Sequence, residues 1–185
     1  AAPATVPGTG AVTLLRISGP AALRIVGDVV KCKSKSIEET HAGRVRYGVV
    51  TDESGNTVDE VLVSIFRAPH SYTGEDSAEI TCHASSVVAS EILRLLCAAG
   101  ARMASPGEFT RRAFVNGKMD LAQAEAVADV ISSTSSASLR VAMNQLRGGF
   151  SSELTDIRSR LFEVASLLEL ELDFSDHEDL EFASR

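Results

Sequence analysis

Residues 58–83, VDEVLVSIFRAPHSYTGEDSAEITCH, decide the fold. Val58 to Phe66 is rich in β-branched and aromatic side chains, the types that suit a pleated, partly covered surface. Val61, Val63 and Ile65 share one face, with Leu62, Ser64 and Phe66 on the other. Apolar residues on both faces predict a central strand with helices over one side. Ser77 to Cys82 predicts a further short strand. Upstream, Arg44 to Val50 predicts a partner strand, joined through the turn chemistry of Asp52-Glu53-Ser54-Gly55-Asn56. Val12 to Ile17, an apolar run between Gly10 and Gly19, predicts the first strand. Ser18-Gly19-Pro20 then opens a helix, with proline at the first helical position, where its missing donor costs nothing. Leu23, Val26 and Val30 mark one side of that helix, and the polar residues 31–43 read as a loop. Ser85 or Ser86 caps a second helix, carrying Ile92, Leu95, Leu96 and Ala99 and stopping at Gly100.

After Pro106-Gly107 the character changes, and helical spacing is read from Leu121 onward. Leu121, Ala124, Val127, Ile131, Leu139, Ala142 and Leu146 follow helical spacing, with Ser132–Ser136 a point of bend or interruption. Gly148-Gly149 marks a break. Leu154, Ile157, Leu161, Ala165, Leu168 and Leu172 form a second stripe. Two long amphipathic helices are expected, burying these faces on each other, on the first domain or on another subunit. The boundary is placed near residue 115, giving an α+β domain over residues 1–115 and a helical segment over 116–185.

Composition narrows the function. Of 185 residues, 44% are apolar and 23% charged, enough for a packed core and against disorder. The net charge of −7 resides in residues 153–185, which hold 10 acidic and 3 basic side chains, so the rest is balanced. A strongly basic nucleic-acid footprint is therefore lacking. Cys32, Cys82 and Cys97 are scattered without CxxC spacing, which suits a reducing compartment. No apolar run reaches membrane-spanning length, and the opening residues lack a signal-peptide pattern. Gly8-Thr9-Gly10 falls short of a phosphate-binding loop.

The candidate chemistry gathers around Tyr72-Thr73-Gly74-Glu75-Asp76 and the strand after it. On an extended 77–82, Glu79 and Thr81 share a face opposite Ile80 and Cys82. Glu79 can accept the paired N–H donors of a flat heterocycle such as an amino-pyrimidinone edge; a solvated strand carboxylate is the commoner role. Glu75 and Asp76 more often cap turns than act as an acid–base pair. Arg16, late in the first strand, and Lys118, between Gly117 and Met119, can each hold an anionic tail, although solvated cations are commoner. Arg111 and Arg112 beside Glu108 suit either RNA phosphate or surface ion pairs, the latter being more frequent. Adjacent Cys82 and His83 point to opposite faces, which weakens a shared metal site. No catalytic or metal-ligating set emerges.

Several blocks together carry a family likeness: LLRISGP, PHSYTGEDSAEITCH, GARMASPGEFTRRAFVNGKMDLAQAEAVADVI, QLRGGFS and ELDFSDHE. In order and spacing they resemble the N-terminal and first helical regions of the tRNA-modification GTPase family MnmE, also called TrmE. The resemblance implies an α+β, mixed-sheet folate-binding domain similar to the aminomethyltransferase of glycine cleavage, followed by part of a helical domain. It implies that Arg16, Glu79 and Lys118 hold 5-formyltetrahydrofolate or a related reduced folate. It further implies a cytoplasmic homodimer, without a membrane, that works with the flavoprotein MnmG (GidA) on C5 of the wobble uridine of tRNA. GTP, magnesium and potassium belong to a GTPase domain expected after the present last residue, as does a C-terminal cysteine motif.

Two blocks depart from the family pattern. A PGRGG-like segment appears as PGTGA at residues 7–11, and HGG appears as His83-Ala84-Ser85. If a glycine there needs a positive φ or leaves room for the ligand, Ala84 or Ser85 would impair binding. The alternatives are then a non-catalytic assembly module with a degenerate pocket, or an aminomethyltransferase relative acting on a small one-carbon substrate.

Overall fold

The computed structural model describes residues 1–6, 8, 10–33 and 35–174. Pro7 and Thr9 of the PGTGA segment lie outside the described residues, as does the end of the ELDFSDHE block from Ser175. The chain divides into two units, Ala1–Met119 and a second beginning at Asp120.

The first unit is a sheet of six strands: β1 (Ala2–Pro3), β2 (Val12–Ser18), β3 (Val30–Lys31), β4 (Val45–Thr51), β5 (Thr57–Phe66) and β6 (Ser77–His83). Their order is β1-β2-β6-β5-β4-β3, so β5 is central, as its two-sided apolarity predicts. Every described pairing is antiparallel. The α+β class stands, and the expected mixed sheet is corrected to an antiparallel one. Its cause lies in the connections: a tight turn joins β4 to β5, and a loop that folds back on itself joins β5 to β6. Asp52 builds the turn by accepting the backbone N–H groups of Ser54 and Asn56, while Gly55 supplies the positive φ of 85°.

Two helices, α1 (Ala22–Val29) and α2 (Ser86–Ala98), cover one face. Leu15 and Ile17 of β2, Val61, Val63 and Ile65 of β5 and Ala78 and Ile80 of β6 point at them. They form a core with Leu23 and Val26 of α1 and Ile92 and Leu96 of α2. Burying each large aliphatic side chain contributes about 1.5–3 kcal/mol. Helix α1 starts two residues later than expected, because Pro20 sits in a turn closed by Ala22 N–H donating to the Gly19 carbonyl. Ser85 caps α2, its hydroxyl accepting from the Val88 N–H.

The segment 31–43 is not simply a polar loop. It begins in β3, and Ile37 plugs the core with 1% of its surface exposed. One apolar residue among polar ones shows no periodicity, so pattern alone missed it. A short helix α3 (Glu108–Val115) was also unforeseen.

Among the described residues the second unit holds three helices rather than two: α4 (Leu121–Ser132), α5 (Ser136–Leu146) and α6 (Gly149–Phe174). Ser135 ends the serine-rich run as the cap of α5, its hydroxyl accepting from Ser138 N–H. Gly148, at φ 85°, breaks the chain before α6. Helices α4 and α5 pack through the small Ala126 and Ala142, and amides cross-link them: Gln123 donates to the Leu146 carbonyl and Gln145 to that of Ala122. Helices α4 and α5 leave the second stripe largely uncovered. Leu154, Ile157, Leu161, Leu168 and Leu172 on α6 are each at least half exposed. Periodicity tells which side chains share a helix face; it does not say what covers them.

Ile37→Ala is expected to destabilise the first unit by about 2–5 kcal/mol through cavity formation. Glu39→Ala, exposed in the same segment, is expected to stay within about 0.5 kcal/mol. Urea unfolding followed by circular dichroism checks both, and an Ile37→Ala midpoint equal to wild type would refute the plug.

Candidate functional site

The register of β2 against β6 places Arg16 directly opposite Glu79. Both lie on the face away from α1 and α2, because Leu15, Ile17, Ala78 and Ile80 occupy the other. The Arg16 guanidinium donates from Nε at 2.9 Å and from Nη2 at 2.7 Å, both to Oε1 of Glu79. About a quarter of each side chain remains exposed. Two rings hold the guanidinium on its faces: its carbon lies 5.3 Å from the Tyr72 centroid and 5.6 Å from that of Phe109. Such cation–π contacts stabilise and orient the charge. No hydrogen bond to Oε2 of Glu79 is formed among the described residues.

The β5–β6 loop brings Tyr72 there, and the loop is clamped at several points. At its base, Asp76 accepts from Arg67 Nη1 at 3.0 Å and from Ala68 N–H at 2.9 Å. In the middle, Ser18 Oγ donates to Glu75 and shares a 2.6 Å hydrogen bond with the Thr73 hydroxyl. Asn116 Nδ2 donates to the Thr73 carbonyl, and Tyr72 Oη pairs with Thr110 Oγ1 at 2.9 Å. Lys118 Nζ donates to the Pro69 carbonyl at 3.0 Å. Gly74 has φ 77°, and a Cβ there would lie 3.1 Å from Lys118 Cγ, so a side chain is both strained and crowded.

The three expected ligand residues are thus placed differently. Arg16 and Glu79 form one pair. Lys118 makes no hydrogen bond or ion pair with either and is linked to them through the loop that carries Tyr72. The loop was legible as a segment carried on the sheet just before Glu79; its fastening to α3 was not.

That fastening centres on Glu108, 4% exposed, which opens α3. Its carboxylate accepts bidentately from Arg102 (2.9 and 2.6 Å), from Ser105 N–H (2.9 Å) and from Arg112 Nε and Nη2 (3.0 and 2.8 Å). Arg102 above all, then Ser105 N–H and Arg112, holds this carboxyl far below the usual carboxylate range. Arg112 Nη1 also reaches Glu75 at 3.0 Å. The paired-arginine reading for RNA therefore loses Arg112 to internal ion pairs. A signal for α3 was present: Ser105-Pro106-Gly107-Glu108 has the S-x-x-E spacing in which a glutamate reaches back to the serine N–H.

His83 Nδ1 lies 2.7 Å from Asp59 Oδ1 and is otherwise open to solvent. Among the described residues, no group of His, Cys, Asp and Glu has metal-binding geometry. Cys82 is buried and its thiol is pushed up by desolvation. Ala84 and Ser85 stand where the resemblance leads one to expect glycines, and neither has a positive φ. The backbone there suits any L-residue, so the strain argument against them fails. Among the described residues, no helix is long and apolar enough to cross a membrane.

Because Glu108 is held below its unfolded pKa, the unfolded chain binds more protons as the medium is acidified. Its contribution to stability is full above the ordinary glutamate value of about 4.3 and is lost as pH falls from there toward the folded pKa. Glu108→Gln is expected to be less stable at pH 7 and to lose part of the wild-type decline below about pH 4.3. Denaturant midpoints measured from pH 7 to pH 2.5 check this; parallel curves for the two proteins would refute it.

Comparison with known proteins sets this geometry in a family. The family described as "GTP-binding protein TrmE N-terminus" matches residues 1–118, and "MnmE helical domain" matches residues 121–185. A protein of Parabacteroides distasonis named tRNA modification GTPase MnmE is 51% identical over 183 residues, 98% of this chain and 40% of the relative. Proteins of the same name from Bacteroides thetaiotaomicron and Flavobacterium johnsoniae are 54% and 52% identical, covering 95% and 98% of this chain and 38% and 39% of theirs. The chain spans about two fifths of the length of these relatives. With both of its units matched in order, the chain belongs to the MnmE (TrmE) family of tRNA modification GTPases.

Proposed function

We propose that the first unit binds a reduced folate of the 5-formyltetrahydrofolate class through Arg16, Glu79 and Lys118. The observation that carries this reading is the half-used carboxylate of Glu79. Arg16 fixes its position through Oε1, and Oε2 is left to accept from a ligand. An amino-pyrimidinone edge offers the matching N–H donors. Lys118, exposed and using one of its three donors on Pro69, and Arg16 supply positive charge for the ligand's carboxylates. The donor set fits the group: one acceptor for the ring and two cations for an anionic tail. When bound, the folate supplies the one-carbon unit; this chain's residues bind and orient it.

In the same reading the chain is part of a longer cytoplasmic protein that modifies C5 of the wobble uridine in tRNA together with the flavoprotein MnmG. GTP, magnesium and potassium serve that protein's GTPase domain. The name of the relatives, tRNA modification GTPase, supports the tRNA and GTPase parts. The first unit is also the dimerising one. In support, the face carrying Arg16 and Glu79 exposes a row of neighbours, Tyr47 opposite Leu62, with Val45 beside them, and each is close to half exposed or more.

Calorimetric titration with 5-formyltetrahydrofolate tests the first part. Wild type is expected to bind saturably. Glu79→Gln is expected to weaken binding by about 1.5–3 kcal/mol, roughly ten- to a hundredfold, since a charge-assisted hydrogen bond is lost. No heat with the folded wild type, or an unchanged Kd in the variant, would reject the site. Size-exclusion chromatography with light scattering tests the second part. Leu62→Glu is expected to give a folded monomer where wild type gives a dimer, and a wild-type monomer would reject dimerisation.

A further inference from the structure

We propose that Arg112 is a positioning residue for the candidate site, setting the aromatic cage around Arg16 without touching a ligand itself. The inference rests on the folate reading only for its effect on affinity. Three separate pieces of chain make the cage: β2 carries Arg16, the β5–β6 loop carries Tyr72, and α3 carries Phe109. Arg112 is the side chain that joins all three. Its Nε and Nη2 hold Glu108 of α3; its Nη1 holds Glu75 of the loop at 3.0 Å and approaches the Ser18 carbonyl of β2 at 3.5 Å.

The chemistry of the bridge needs arginine. Its rigid planar fork serves acceptors in different directions at once, whereas an ammonium is a mobile point charge. Glu75 in turn accepts from Ser18 Oγ, whose hydroxyl also meets Thr73, so the charge and the hydroxyl pair fix the residue next to Tyr72. Glu108 is itself held by Arg102 and the Ser105 N–H, which makes it a fixed anchor rather than a swinging partner. Without Arg112, the Glu75 carboxylate keeps only the Ser18 hydroxyl, and Tyr72 keeps its hydroxyl contact with Thr110 on an exposed edge. The ring then departs from Arg16, and Arg16 is freer to turn away from Glu79.

The test uses the whole chain and two readouts. The protein has no Trp and two Tyr, so subtracting the emission of the matching Tyr72→Phe protein isolates Tyr72. In the absence of ligand, Arg112→Met is expected to lower the fluorescence anisotropy of Tyr72, with a native circular dichroism spectrum. Its affinity for 5-formyltetrahydrofolate is expected to fall about tenfold or more, and Arg112→Lys is expected to recover only part of either loss. Unchanged anisotropy in folded Arg112→Met overturns the proposal, even if affinity falls, because the loop would then not be what Arg112 holds. Should Arg112→Met fail to fold, Glu75→Ala removes the loop end of the bridge and leaves Arg112 on Glu108. Unchanged Tyr72 anisotropy in that variant overturns the proposal equally. A wild-type protein that gives no folate heat rejects the folate reading, whereas the anisotropy still decides the role of Arg112.

Discussion

The pairing of β2 with β6 is the constraint on which the rest of the first unit depends. Leu15 against Ile80 and Ile17 against Ala78 must both face α1 and α2, and this fixes the register to the residue. Arg16 then has to stand opposite Glu79 on the other face. A slip of one residue would bury the charged pair and expose the aliphatic ones, so hydrophobic burial enforces a polar geometry it does not itself contain. The ion pair contributes modestly at its partial exposure. Its value is placement: a carboxylate with one oxygen committed and the other open, at a site that two rings keep in orientation.

Around that pair the structure uses charge where a loop has no hydrophobic means of staying put. The β5–β6 loop is held by carboxylates, hydroxyls and backbone carbonyls rather than by core contacts, and four of these bonds, from Thr110, Arg112, Asn116 and Lys118, come from α3 and the turn after it. Glu108 can be nearly buried because five donor groups converge on its two oxygens. Leaving such a carboxylate unpaired would strand a charge without its donors, which is why the arrangement stands or falls as a network. A loop fixed before a ligand arrives loses less entropy when it binds, so this fastening and the proposed ligand role favour one another.

The second unit follows different physics. Helices α4 and α5 approach closely because Ala126 and Ala142 are small, and capping boxes at Asp120 and Ser135 define where each begins. Helix α6 presents large aliphatic residues to solvent along its length. Family membership gives this unit its context, since the relatives continue well beyond the matched region.

Much of the fold was legible in order. The β4–β5 turn could be read from Asp52 to Asn56, the two faces of β5 and β6 from alternation, and the end of α2 from Gly100. Glu79 was assigned to the correct face by period alone, and the blocks around Arg16, Glu79 and Lys118 pointed to the family. These are local properties: a strand's alternation, a turn's demand for glycine and a cap's hydroxyl are written within a few residues. The burial of Ile37, the Arg16–Glu79 bond and the hold of Arg112 on Glu75 were decided only in three dimensions. Each depends on partners far apart in the chain, and a single sequence carries no term for which distant acceptor a guanidinium will find. The mixed sheet was misjudged for the same reason, because strand direction is settled by how connections close in space rather than by what the strands contain.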